Sequence, residues 1–266
     1  MQVMDSCDAA MASDRHPQDA VIFNDWYVVA QTQALPPGEL QGVRLLDTDI
    51  VLWRAETGQV FAWEDRCPHR SVRLSSGRVE ANTIVCSYHG MVYDTSGRCI
   101  RVPAHPHYTP PKQACVKSFQ VQERYGLVFV CLGEPAQEPA PFPEWGDASF
   151  RQVLCGPYHS HCGGYRAIEN FLDLAHFPFI HTGILGDPNQ TEIEEYQASI
   201  TADGVRLYDI RFWQPDSIGI GKGAWTDYSY WTPRPLVAYF RKDTPDGDCL
   251  SIILFVTPIS EEESVS

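Results

Sequence analysis

Two short segments of the 266-residue sequence each carry one thiol and one imidazole: Cys67-Pro-His69-Arg70 and Cys86-Ser-Tyr-His89-Gly90. Both sit in Gly- or Pro-bounded loops between β-rich runs, with sixteen residues between His69 and Cys86. A zinc knuckle pairs Cys with Cys at close spacing, whereas here every hook holds one soft and one borderline donor. That split suits a two-iron, two-sulfur (2Fe-2S) cluster in which Cys67 and Cys86 hold one iron and His69 and His89 the other. The imidazoles would carry the outer iron toward solvent, making the cluster a port for electrons. A structural zinc site is the alternative. The plainest reading, unrelated core thiols and surface histidines, would suit one hook better than two.

A second constellation lies in Ile168-Glu-Asn-Phe-Leu-Asp-Leu-Ala-His-Phe-Pro-Phe-Ile-His181. Asn170, Asp173 and His176 recur every three residues, so on a helix they drift slowly around one side. A helix is expected over Ala167 to Phe177, broken by Pro178 so that His181 can swing back toward His176. Two imidazoles with a carboxylate and open positions are the donor set of mononuclear non-haem iron oxygenases. A satisfied polar cluster in a core is the bland alternative, and for His176 alone the better one.

With both constellations in order along one chain, the sequence resembles the Rieske non-haem iron aromatic oxygenases, in particular the oxygenase component of the vanillate O-demethylase type. Residues from about 24 to 133 look like the Rieske domain, with Cys-x-His-x16-Cys-x2-His intact, and Asn-x2-Asp-x2-His-x4-His is similar to the iron motif of the same family. Respiratory Rieske proteins add a second Cys to each loop and a Ser after His-Gly. This chain has neither and carries Met91 there, where many oxygenases have Trp, so a potential toward the lower end is expected.

The resemblance implies that His176 and His181 bind Fe(II), that Asp173 bridges a ligand histidine to His89 or His69 of a neighbouring subunit, and that the molecule is a ring-shaped homotrimer. Asn170 belongs to the same catalytic group. The family's third iron ligand is a carboxylate on a helix well downstream, so the catalytic domain is expected to be incomplete at Ser266. Asp187, Glu192, Glu194 and Glu195 read as solvated surface rather than substitutes. The implied reaction uses O2 to hydroxylate or O-demethylate an aromatic compound, with electrons passing from cluster to iron through Asp173. A Rieske electron-transfer protein, or a catalytically inactive oxygenase-like subunit, is the alternative function.

These residues need a scaffold of two kinds. From Asp25 the chain shows short β-rich runs punctuated by turns, among them Trp26–Val29, Val43–Leu46, Ile50–Trp53 and Val60–Trp63, and a hairpin about Tyr125-Gly126. Pro135 to Pro143 has four prolines in nine residues and reads as a linker. Beyond it come the helix and strands over Ala198–Trp213, Tyr228–Phe240 and Leu250–Val256. The fold class is therefore α+β. An all-β Rieske domain (24–134) follows a flexible arm (1–23), and a linker (135–147) leads to an α+β catalytic domain with an antiparallel, helix-grip-like sheet (148–266).

Composition narrows the partners. Thirty-four acidic residues against 20 basic ones give a net charge of −14, which disfavours nucleic acid and anionic membranes. No apolar run approaches the ~20 residues of a membrane span, and no secretory signal is visible, so a cytoplasmic protein is expected. The other seven of the nine Cys lack ligand spacing and read as ordinary buried thiols. No nicotinamide or flavin fingerprint is present, so a separate NAD(P)H-dependent reductase or a ferredoxin must supply electrons. Arg66, Arg70, Arg73, Arg78, Arg98 and Arg101 surround the hooks against only Glu80 and Asp94, a basic local surface for an acidic donor.

Overall fold

The computed structural model describes residues 19–266. Most of the expected N-terminal arm, residues 1–18, lies outside the described residues, while Ala20–Phe23 form a helical turn, α1. The chain divides into two compact units, the first ending at Pro139 and the second running Ala140–Ser266. That division falls inside the Pro-rich stretch 135–147.

The first unit is built from ten antiparallel strands: β1 Tyr27–Gln31, β2 Leu40–Leu45, β3 Thr48–Arg54, β4 Val60–Glu64, β5 Arg78–Glu80, β6 Thr83–Val85, β7 Val92–Tyr93, β8 Cys99–Arg101, β9 Ser118–Arg124 and β10 Leu127–Cys131. Six form one sheet in the order β1-β10-β9-β4-β3-β2, and β5 to β8 form a smaller meander. Trp53 and Trp63 are fully buried and pack edge-on at 4.9 Å between ring centroids, with Phe61 stacked on Trp53 at 4.5 Å. Each such buried ring contributes roughly 1.5–3 kcal/mol. Leu74, Ile84, Tyr93, Cys67 and Cys86 join the same core, so the two thiols are anchored in its apolar interior. Arg54 of β3 makes a two-pronged ion pair with Glu123 of β9 at 2.6 and 2.9 Å. The pairing holds the Glu123 carboxyl below its usual range and the Arg54 guanidinium above its own.

In the second unit, β12 Gln197–Thr201, β13 Gly204–Gln214, β14 Ala224–Arg234, β15 Val237–Asp243 and β16 Cys249–Phe255 form a five-stranded antiparallel meander. Three short strands, β11 His159–Ser160, β17 Thr257–Pro258 and β18 Ser264–Val265, make a second small sheet. The runs Ala198–Trp213 and Tyr228–Phe240, each expected as one strand, contain two strands apiece. Thr201 pairs with Gly204 and Arg234 with Val237 across tight turns. Gly204 is required at the first, since a Cβ there would meet the Thr232 carbonyl at 2.2 Å and its φ is +122°.

Alternation divides the aromatic residues of this sheet. Tyr228, Tyr230 and Phe240 share one face with Ile210 and Phe212, and the helix residue Phe171 stacks on Phe240 at 5.4 Å. Trp225, Trp231 and Tyr239 take the other face.

The expected helix over Ala167–Phe177 is shorter and displaced. Helix α2 spans Gly164–Leu172, and a separate turn, α3, spans Phe177–Ile180. The break falls at Asp173, whose ψ of 125° is extended, and not at Pro178. Pro178 instead occupies the first turn of α3, where its missing N–H costs nothing and its fixed φ suits the helix.

Candidate iron-sulfur and iron sites

The two Cys/His hooks are closed by the same backbone pattern. Ser71 N–H donates to the Cys67 carbonyl and Gly90 N–H to the Cys86 carbonyl, at 2.9 and 3.0 Å. One residue further on, the Val72 carbonyl accepts from Cys67 N–H and the Met91 carbonyl from Cys86 N–H. Both turns end on a left-handed residue at the equivalent position, Ser71 at φ +57° and Gly90 at φ +66°. The hooks thus match in their turns although their Cys–His spacings differ by one.

Cys67 and Cys86 are each 2% exposed, contact one another and remain unbridged, while His69 and His89 are exposed with ring centroids 4.8 Å apart. Burial pushes the Cys86 thiol up, and the backbone N–H groups of Tyr88 and His89 work against that by favouring its thiolate. Tyr93 places its hydroxyl 3.1 Å from the Cys67 sulfur, a contact that sequence spacing does not announce. Paired thiols inside, paired imidazoles outside and N–H donors aimed at sulfur fit the donor set of a 2Fe-2S cluster.

The second site gathers around α3. Asp173 Oδ1 accepts from Ala175 N–H at 2.9 Å, which turns the chain just after α2. Its Oδ2 lies 3.1 Å from His176 Nδ1. An ionised carboxylate only accepts, so Nδ1 carries the proton and Nε2 keeps its lone pair for a metal. His176 and His181 flank the turn at its two ends, and their ring centroids stand 5.1 Å apart. Phe177, buried between them, packs its ring on both imidazoles and on Phe212 of the sheet.

Asp173, His176 and His181 therefore come together. Asn170 lies on the exposed side of α2, where its carbonyl accepts from Asp173 N–H and its side chain bonds neither histidine. Asp187 is engaged by Asn189, and Glu192, Glu194 and Glu195 are exposed. Among the described residues no group of three His, Cys, Asp or Glu side chains is placed to hold one ion. A cluster of the expected kind asks only two protein ligands of each iron.

Two further expectations need correction. Of the seven non-ligand cysteines, Cys99 and Cys131 are buried thiols, but Cys155 is exposed, Cys162 and Cys249 are half-buried, and Cys115 is disulfide-bonded. Cys7 lies outside the described residues. The arginines around the hooks are also not equivalent. Arg73 pairs with Asp49 and Arg78 with Glu80, whereas Arg70, Arg98 and Arg101 are exposed and without an ion pair among the described residues.

An all-β unit with paired Cys/His hooks, followed by a unit whose helical turn α3 carries an Asp-supported His pair against an antiparallel sheet, has the parts of a Rieske-type oxygenase. Residues 25–120 match the Rieske [2Fe-2S] domain model, and residues 161–265 match the vanillate O-demethylase oxygenase C-terminal domain. The iron-sulfur subunit of the toluene-4-sulfonate monooxygenase system of Comamonas testosteroni is 30% identical over 239 residues, covering 85% of this chain and 68% of that protein. Methylxanthine N1-demethylase NdmA of Pseudomonas putida is 42% identical over 153 residues, 56% of this chain and 43% of that protein. The solved structure of NdmA from Pseudomonas putida CBB5 superposes with a TM-score of 0.80 at 28% identity, covering 92% of this chain and 72% of that one. The chain belongs to the Rieske non-haem iron oxygenase family. The aligned stretch is thus less than half of one relative's length and about two thirds of another's.

Proposed function

We propose that this chain is the oxygenase component of a Rieske monooxygenase that hydroxylates or demethylates an aromatic compound with O2, drawing electrons from a separate NAD(P)H-dependent reductase or a ferredoxin. The observation that carries the reading is the His176–His181 pair, supported by Asp173, in one chain with the paired Cys/His hooks. Residues 24–134 serve as the Rieske domain and 148–266 as the catalytic domain.

Cys67, His69, Cys86 and His89 would hold the 2Fe-2S cluster, and His176 and His181 would hold Fe(II). When bound, the cluster would supply single-electron transfer and the iron a redox-active centre for O2. The chain's own side chains do the positioning. Asp173 fixes the His176 tautomer, Phe177 wedges the two rings apart, and the Tyr93 hydroxyl stands 3.1 Å from the Cys67 sulfur, to which it would donate once that sulfur is a thiolate. With its side chain 47% exposed, Asp173 keeps a second lone pair on each bonded oxygen with which to meet His89 or His69 of a neighbouring subunit in a homotrimer. Arg70, Arg98 and Arg101, without an ion pair among the described residues, offer an acidic donor cations near the hooks. Among the described residues no helix is long and apolar enough to cross a membrane; the cytoplasmic location is part of the proposal.

Metal analysis with electron paramagnetic resonance tests this directly. The expected result is a Rieske signal abolished by His69→Ala or His89→Ala, plus a separate mononuclear iron lost in His176→Ala with the Rieske signal retained. A Rieske signal without aromatic oxidation would identify an electron-transfer subunit. Zinc with no cluster would overturn the assignment.

A further inference from the structure

The two imidazoles of the His176–His181 pair are held in different ways. Asp173 fixes the ring of His176, whereas no hydrogen bond among the described residues holds the ring of His181. Between them α3 is a single turn of four residues, too short to keep its shape unaided. The place of His181 therefore depends on the backbone that follows it. Its carbonyl accepts from Ile184 N–H and Leu185 N–H at 3.1 and 3.0 Å, which ties the imidazole to wherever those two residues are held.

Both are held from one turn at the end of β13. Gln214, fully buried, donates through Nε2 to the Leu185 carbonyl at 3.4 Å and to the Tyr228 hydroxyl at 2.9 Å. Two residues on, Asp216 N–H donates to the Ile184 carbonyl at 3.1 Å. Lys242 of β15, itself buried, ties the turn down at two points, since Nζ donates to Gln214 Oε1 at 3.2 Å and to the Ser217 carbonyl. An ammonium can only donate, so the Gln214 oxygen must face Lys242 and its NH2 group must face Leu185. Burying a cation on two neutral acceptors is costly, and both acceptors belong to this one turn. The same strand carries Phe212, whose ring packs at 5.7 Å on Phe177, the residue between the two imidazoles.

We propose that Gln214, locked in orientation by Lys242, is a positioning residue for His181: it fixes the chain beyond the histidine and so sets the separation of the two imidazoles. The inference rests on the reading of His176 and His181 as Fe(II) ligands and deepens it. Asp173 supports one ligand directly through its ring nitrogen, and the Gln214–Lys242 bracket supports the other through the backbone. Outer partners of this kind govern how well ligands are aimed without touching the metal themselves.

The test is Fe(II) titration of the full chain with its cluster oxidised and silent in electron paramagnetic resonance, nitric oxide being added so that mononuclear iron gives a signal of its own. Gln214→Glu keeps an acceptor for Lys242 and gains an ion pair with it, but sets a second acceptor against the Leu185 carbonyl. It is expected to weaken Fe(II) binding roughly tenfold or more and to change the shape of the iron–nitrosyl signal, while the Rieske signal and the thermal midpoint hold. A role in packing alone would move affinity and midpoint together and leave the signal shape as it is. Should Gln214→Glu not fold, Lys242→Met decides the matter, because it frees the turn with Gln214 still in place and should produce the same loss of affinity and the same change of signal. Unaltered affinity and signal shape in a folded variant, or affinity lost only in step with the midpoint, would overturn the inference. A wild-type chain that holds the cluster and binds no mononuclear iron would overturn the iron reading itself, and the inference with it.

Discussion

The Tyr93 hydroxyl has two sulfur neighbours, Cys67 Sγ at 3.1 Å and Met91 Sδ at 3.7 Å. With Cys67 bound to iron as thiolate, the hydroxyl must be the donor, and its bond strengthens as an electron adds negative charge to the cluster. Replacing Tyr93 by Phe removes that donor without opening a large cavity. If the differential strength is about 1 kcal/mol, the potential should fall by roughly 45 mV. Redox titration followed by the Rieske signal measures this, and an unchanged potential would show that the hydroxyl serves packing alone. Met91 in place of a hydroxyl-bearing residue points to a low potential, and Tyr93 returns part of that loss. The first feature is legible in the sequence, because it concerns residue type next to a ligand. The second depends on how β7 lies against the first hook and requires the fold.

At the scale of elements, what the sequence conveyed depended on the range of the interaction. Each hook is a turn of five residues, so local spacing was enough to identify it. The His pair was legible for its ligands and misleading for its backbone. Proline is a breaker inside a helix and a starter in its first turn, and spacing alone does not say which applies. Asp173 breaks the helix with its own Asx-type bond to Ala175, and the turn that follows brings the imidazoles together. The burial of Lys242, whose Nζ donates to the Gln214 side chain and the Ser217 carbonyl, was not legible at all, since cross-strand register decides what faces it.

One glycine holds the turn in place. A Cβ on Gly186 would meet Pro178 backbone atoms at 2.5 and 2.6 Å, and Gly186 carbonyl accepts from Gly183 N–H. Gly186→Ala must push α3 aside, separating His176 from His181. The expected outcome is loss of mononuclear iron, more than tenfold in affinity, with the Rieske signal intact. Full iron occupancy in that variant would mean that the turn yields elsewhere and that Gly186 does not set the spacing.

For the whole molecule, charge acts at two ranges. The chain is strongly acidic at −14, yet Arg70, Arg98 and Arg101, without an ion pair among the described residues, stand in the segments around the hooks. The Debye length is about 30 Å at 0.01 M salt and about 10 Å at 0.1 M. An acidic electron donor at very low salt therefore senses the net negative charge of the molecule and is repelled. Near 0.1 M it senses chiefly the charges it touches, which are the arginines, and at higher salt that attraction is screened too. The second-order rate of cluster reduction by an acidic ferredoxin should consequently pass through a maximum as ionic strength rises. Replacing Arg70, Arg98 and Arg101 together by Gln should remove the falling branch, leaving a rate that climbs with salt and levels off. Arg73→Gln serves as the contrast, because Asp49 already neutralises that guanidinium, and its salt profile should follow wild type. Stopped-flow reduction across 0.01–1 M salt distinguishes the cases, and a maximum retained in the triple variant would place the docking surface elsewhere.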